Sequence, residues 1–274
     1  MSLKRALAVV AAGAVAAAGG IASVALSAGP AAAATTQFVE LPFTSSYSGM
    51  LLVDPANQHL FVTGGAGSSS IVVVDYSGNT VATIPNEPGA TGLALSSDGS
   101  TVYVALAGGD AISAISTSTL TETARYATGT GTDPAYVAYA GGKVWFGYNS
   151  SFSSGPAGIG SLDPGTSPAT VTLNATNDPA YNWDSAPELA ATPAGDLVAG
   201  AGDGPLELAS YDVSTGTAST LTPPTSFGNY SGLTGMQITP DGQDVVVGTS
   251  PAQTIFQVSD LSAVGTFTVK ASCV

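Results

Sequence analysis

The stretch TGLALSSDGSTVYVAL, Thr91–Leu106, alternates apolar with small residues, turns at Ser-Asp-Gly, and returns through a β-branched and aromatic run. That pattern is two antiparallel strands joined by a tight hairpin. It recurs as MLLVDPANQHLFVTG (50–64), PAYVAYAGGKVWFGY (134–148), PELAATPAGDLVAGA (187–201) and TGMQITPDGQDVVVGT (234–249). A second hairpin follows each copy, as in SIVVVDYSGNTVATIP (70–85) and TIFQVSDLSAVGTFTV (254–269). The turn markers Asn57, Gly99, Gly142, Gly195 and Gly242 are 42, 43, 53 and 47 residues apart. Four strands per unit at that period predict a propeller blade. A sandwich also has many short strands, but it does not return to one hairpin pair five times in fixed order. No window of adequate length carries apolar residues at helical spacing. The sequence therefore predicts an all-β chain, a β-propeller of four-stranded antiparallel blades with five recognisable repeats.

Blade number is less simple. FVELPF (38–43), ahead of the first unit, reads as an outermost fourth strand, yet the fifth unit already owns one in VGTFTV (264–269). One strand is surplus. The expectation is a shortened relative of a six- or seven-bladed ring, and the blade edges left open by such a gap would favour self-association.

The repeats ALSSDGSTVYVAL and QITPDGQDVVVGT resemble the YVTN-type propeller repeat of secreted bacterial and archaeal proteins, a resemblance that runs from Phe38 to Val269. More narrowly, the chain is similar to the amino-terminal propeller that precedes immunoglobulin-like repeats in some secreted actinobacterial proteins. The resemblance implies a surface-exposed recognition or spacer unit. A fold of this kind fixes no function.

Composition narrows the classes. MSLKR followed by an Ala/Gly/Val-rich run and GPAAAATTQ reads as a secretory signal over residues 1–34, leaving a propeller domain at 35–274. A retained membrane anchor is the competing reading, but the run is weakly hydrophobic and its small-residue exit suits cleavage. No other segment is apolar enough to span a bilayer. The expected localisation is secreted, extracellular or attached to the cell envelope. Beyond the signal only Arg125, Lys143 and Lys270 stand against nineteen acids, a net charge of −16. Nucleic acid is thereby an unsuitable partner, because phosphate binding needs clustered Lys and Arg. Cys273 is the one cysteine, so no internal disulfide and no CxxC zinc site can form.

Most motifs read as turn chemistry. Asp75, Asp163, Asp212 and Asp260, with Ser116 in the second unit, fall at the end of the third strand, where an Asp or Ser side chain accepts a hydrogen bond from backbone two residues on. A calcium site would need oxygens converging on one point. His59 is the sole histidine and no GxSxG occurs, which argues against a serine hydrolase. GGAGSSS (64–70) lacks the Lys and the helix of a phosphate cradle and reads as a loop. No catalytic residue, metal site or cofactor is predicted.

The connectors between blades are more informative. DPAY occurs at 133–136 and again at 178–181, each time leading from one blade to the next. In a propeller these connectors share a face with the loops between second and third strands. They bring Tyr47, Tyr136, Tyr181, Trp183, Asp184, Glu188 and Tyr230, with Phe227, toward that face. Aromatic rings beside acids and amides suit a sugar ring or a peptide, so these seven form the candidate ligand site for an extracellular glycan or protein. Two alternatives remain. The rings could simply pack blade on blade in a structural spacer, or Asp184 and Glu188 could form the carboxylate pair of a lyase or hydrolase acting on polysaccharide.

Overall fold

The computed structural model describes residues 7–8, 38–39, 49–149, 157–176, 183–202, 204–250 and 252–268. Tyr47 and Tyr181 lie outside these, as does the second DPAY. A two-residue pairing joins β1 (Leu7–Ala8) to β2 (Phe38–Val39). The rest is blades. The first comprises β3 (Leu51–Asp54), β4 (His59–Thr63), β5 (Ser70–Asp75) and β6 (Thr80–Pro85). The second comprises β7 (Ala90–Leu95), β8 (Thr101–Leu106), β9 (Ala111–Ser116) and β10 (Glu122–Ala127). β11 (Tyr136–Ala140), β12 (Lys143–Tyr148), β13 (Gly158–Asp163) and β14 (Thr170–Thr172) make the third. One 3₁₀ turn, Ala107–Gly109, is the helical structure among the described residues.

The fourth and fifth blades are continuous. β15 (Glu188–Ala191), β16 (Asp196–Ala201) and β17 (Pro205–Asp212) are closed by the first half of β18 (Ser219–Ile238). The second half of β18 then opens the fifth blade, followed by β19 (Asp244–Ser250), β20 (Gln253–Gln257) and β21 (Ala263–Phe267). The sequence reading placed a connector at SFGNYSGL. Instead the backbone stays extended, with register shifts on both sides absorbing the change of partner. Every blade therefore has four antiparallel strands, and FVELPF supplies none of them among the described residues. The chain is an all-β propeller.

Each seam between blades is one apolar cluster, because period-2 alternation presents one set of side chains to the blade before and the other to the blade after. Phe61, Ile71 and Val73 of the first blade meet Leu93, Val102 and Val104 of the second. Tyr103 and Ile112 meet Val137, Phe146 and Leu162. Trp145 and Ile159 meet Leu197, Ala199 and Tyr211. Val198, Leu206 and Leu208 meet Val245, Val247 and Phe256. Burying a side chain of this size stabilises by about 1.5–3 kcal/mol, so the seams carry the fold.

The two end faces differ from the seams. On the first blade Leu51 and Val53 are 41% and 46% exposed, while Leu60, Val72 and Val74 form a small buried cluster with Tyr76. On the fifth, Val246 and Ile255 are half-buried and Phe267 is 43% exposed. Among the described residues neither end carries packing of the kind found at the four seams.

The first and second strands are also tied by hydrogen bonds at the connector end. Thr63 Oγ1 accepts from the Met50 amide at 2.8 Å and donates to the Thr91 carbonyl at 2.8 Å. Thr91 Oγ1 donates in turn to the Ala135 carbonyl at 2.7 Å. The backbones come so close that a Cβ on Gly92 would sit 2.7 Å from Ala135 O, and one on Gly147 would sit 2.0 Å from Pro187 O. Glycine is what lets neighbouring blades approach there.

Candidate functional site

The turn aspartates behave as local chemistry requires. Asp75 Oδ1 accepts from the amides of Ser77 (2.9 Å) and Asn79 (2.8 Å). Asp163 accepts from Gly165 at 3.0 Å, and Asp212 from Ser214 at 2.9 Å. Ser116 Oγ takes the amide of Thr119 at 3.2 Å. Asp260 lies three residues beyond β20, not at its end, because the chain first turns through Val258 and Ser259; it accepts from Ser262 at 2.9 Å. In the hairpin between first and second strands, Asp98 accepts from Ser96 Oγ (2.6 Å) and from the Ser100 amide (3.0 Å). The hydrogen bond from Ser96 leads in holding Asp98 down to about 2, with Ser100 contributing. Among the described residues no group of three or more His, Cys, Asp or Glu is placed to hold a metal ion.

The first DPAY is built into the scaffold. Asp110, in the loop after β8, takes the amides of Gly131 (2.9 Å) and Asp133 (3.0 Å) on its two carboxylate oxygens. Asp133 itself has φ +39°, the left-handed conformation that short polar side chains tolerate. The connector is thus fixed from the neighbouring blade before Tyr136 begins β11.

Tyr136 is half-buried at the connector end of β11, beside Gly92 of the second blade. Trp183 is 5% exposed and packs with Ala157, Ala201 and Ala209, while its backbone bridges Ala157. Its indole is a wall of the third seam. Asp184, the next residue, is exposed, and its Oδ2 lies 3.1 Å from where a Cβ on Gly204 would be. Glu188 opens β15 and is half-buried; its Oε1 accepts the Met236 amide at 2.8 Å. Burial pushes the Glu188 carboxyl above its ordinary value, and the Met236 hydrogen bond opposes this. Gly235 and Met236, which hold Glu188 from the front, line a shallow depression of about 290 Å³ with Gln237, Val246 and Gln253. Tyr230 is half-buried in β18, edge-on to Phe256 at 5.9 Å, and Phe227 makes the same kind of contact at 5.2 Å. Asp184 and Glu188 therefore point to different neighbours, one over the loop at Gly204 and one into the fourth seam.

Two features were not singled out by the sequence reading. The connector EPGATG (87–92) is the one of the five that brings no aromatic to the connector face, yet its Glu87 is fully buried. Ser113 Oγ lies 3.2 Å from Oε1 of both Glu87 and Glu122, and Arg125 reaches Glu122 at 2.6 Å and Glu87 at 3.6 Å. One serine proton can serve only one of the two glutamates, so a proton on Glu87 completes the set. Desolvation above all, then the nearby Glu122 charge, raises Glu87 to about 7, with Arg125 and Ser113 opposing. The only sequence signal was Glu122 and Arg125 three apart on one strand, with no other arginine beyond the signal-like segment. The second feature is a cavity of about 640 Å³ on the opposite face, among the hairpin turns of the second, third and fourth blades.

No family model matches the chain, and no curated protein matches it. Solved structures do. It is similar to hydrazine synthase from Kuenenia stuttgartiensis, with 19% identity and a TM-score of 0.57, over 76% of this chain and 64% of that one. It is also similar to the Cps50 (Swd1) β-propeller domain from Myceliophteria thermophila, with 12% identity and a TM-score of 0.60, over 82% of this chain and 73% of that one. The chain thus spans less than two thirds of the hydrazine synthase chain it matches. At these identities the likeness establishes architecture, and the architecture is that of a β-propeller.

Proposed function

We propose that this protein is a secreted, non-catalytic recognition module that works outside the cell or at its envelope and holds a glycan on its connector face. The reading rests on one observation: Tyr136 and Asp184, in the connectors before the third and fourth blades, and Tyr230, in β18 where it passes from the fourth blade to the fifth, lie at the connector end of a backbone pinned by bonds between blades. A rigid scaffold presenting a few polar and aromatic groups binds without paying for their ordering. Glu188 acts as a positioning group there, since its carboxylate holds the Met236 amide. The signal-like amino terminus supports export, and no described helix is long and apolar enough to cross a membrane.

The test is retention of residues 35–274 on a panel of purified envelope polysaccharides. Asp184→Lys, on an exposed side chain, should abolish retention and leave the melting temperature unchanged. A spacer would be retained nowhere on the panel. A lyase or hydrolase would release product, and release lost in both Asp184→Asn and Glu188→Gln would replace our reading with that one.

A protein ligand is the second reading, favoured by the fifth blade. Its outer face carries the half-buried Val246 and Ile255 with Gln253 and the exposed Phe267, and Asp244 stands on the same face at the start of β19. In so acidic a chain a second copy meets little repulsion over that apolar stretch. Light scattering across a hundredfold concentration range should then show association that Val246→Lys removes; a monomer throughout dismisses it.

A further inference from the structure

The cavity on the turn face has a lining unlike the connector face. It is formed where the hairpin turns of β7–β8, β11–β12 and β15–β16 converge, and Ser214, in the turn after β17, closes one side. No charged side chain lines it. Tyr139 of β11 contributes the aromatic surface. Its ring is stacked on Tyr103 of the second blade, with centroids 5.7 Å apart and planes within 4°. Tyr103 is 7% exposed and Tyr139 is half-buried, so Tyr139 is the outer ring of the pair and Tyr103 its fixed backing. Tyr103 is closed off strongly enough that burial, more than its neighbours, raises its phenol to about 12. Pro193 and Leu95 add apolar surface, while Ser97, Thr192 and Ser214 add hydroxyls.

The volume falls within the range of small-molecule sites. The lining sorts the ligands that could use it. Without a cation in the wall, and within a chain of net charge −14, a phosphate, sulfate or uronate meets net repulsion. A cationic ligand would be drawn by the same net charge, but no carboxylate lines the wall to pair with it, and Asp196 and Asp212 behind the wall are engaged by Thr192 and Ser214. What remains is a neutral molecule with both an apolar face and hydroxyl edges. A backed aromatic ring beside hydroxyls offers both at once.

We infer that the turn-face cavity around Tyr139, Thr192 and Pro193 is a second binding site, and that it takes a neutral oligosaccharide of about two sugar rings. It is separate from the connector face and does not depend on it. The turn aspartates around it hold its shape: Thr192 Oγ1 is occupied by the amide of Asp196 at 2.9 Å, and Ser214 Oγ donates to Asp212 at 2.7 Å. These hydroxyls are thereby fixed in orientation, which leaves Thr192 to donate to Asp196 and Ser214 to accept from a ligand hydroxyl.

The test uses residues 35–274 with a panel of neutral disaccharides, namely maltose, cellobiose, chitobiose and mannobiose, read by isothermal titration and by chemical-shift perturbation. At least one should bind, with shifts confined to residues 95–97, 139–142 and 191–195. Ser97 is exposed in its turn, so Ser97→Trp fills the cavity from the rim and should weaken that binding at least tenfold with an unchanged melting temperature. Tyr139→Phe keeps the stacked ring and should retain most of the affinity. Asp184→Lys should leave this binding unaltered while it removes retention on the connector face, so failure of one reading is distinguishable from failure of the other. The inference is overturned if none of the four sugars binds, if Ser97→Trp binds them as well as the parent protein, or if a proline-containing peptide shifts these residues and the sugars do not.

Discussion

Replacing Glu87 by Gln should change how stability depends on pH, and the direction follows from the burial of one carboxyl. In the folded chain Glu87 loses its proton at about 7, against an ordinary value of 4.5. Between those values the folded state keeps a proton that the unfolded state has released, so stability falls as pH rises. The loss begins near pH 4.5, is complete above pH 7, and amounts to about 3 kcal/mol at 1.36 kcal/mol per unit. Glutamine cannot ionise and keeps an oxygen for Ser113 Oγ. Glu87→Gln should therefore match the parent near pH 4.5 and exceed it by up to about 3 kcal/mol at pH 8. For a domain of this size that is roughly 6–12 °C in melting temperature. Urea unfolding and thermal melts at pH 4.5, 6, 7 and 8 on both proteins provide the comparison. Half-buried Glu188 shifts in the same sense, so Glu87→Gln should reduce the slope without removing it. Parallel pH profiles for the two proteins, or a parent that gains stability between pH 4.5 and 8, would refute the reasoning.

Other expectations follow from the same contacts. The turn carboxylates Asp75, Asp98, Asp212, Asp241 and Asp260 are all held below their ordinary range by hydrogen bonds, so their stabilisation is present above pH 3.8 and drains away as pH falls toward 2; circular dichroism melts from pH 4.5 to 2 should show a steady decline, and a flat profile would contradict it. Gly147→Ala should destabilise by about 1–3 kcal/mol, since its Cβ would meet Pro187 O at 2.0 Å and the third and fourth blades must separate to admit it; an unaltered unfolding midpoint would show that the seam is looser than described. Both tryptophans are buried, Trp145 at 1% and Trp183 at 5% exposure. Their emission should be blue-shifted and weakly quenched by acrylamide, and Trp183→Phe should leave the remaining signal buried.

The blades were legible because each one writes the same hairpin pair into the chain, and turns such as SSDGS and TPDGQ are held by the side chains they display. Trp145 lies inside the alternating strand β12, a position that reads as core from the pattern alone. Trp183 was less so: its position in a connector gives the loop, but the depth of its indole depends on Ala157 and Ala201, small residues from other elements that leave room for it. The same holds for Phe227 and Tyr230, which look like loop aromatics until β18 is seen to run unbroken past them toward Phe256. Glu87 was missed because burial of a charge is set by what surrounds it, here a serine and an ion pair 26 to 38 residues further on. The turn-face cavity was missed for a different reason. Its walls are the very turn residues that seem fully explained by local backbone chemistry.

The most direct test of the central claim applies residues 35–274 to immobilised envelope polysaccharides, measuring retention and released product on the same samples. Retention of at least one polysaccharide, with no product released and with loss of retention in Asp184→Lys, is the expected result. Release of shortened product, or retention on none of them, would contradict a binding module of this kind.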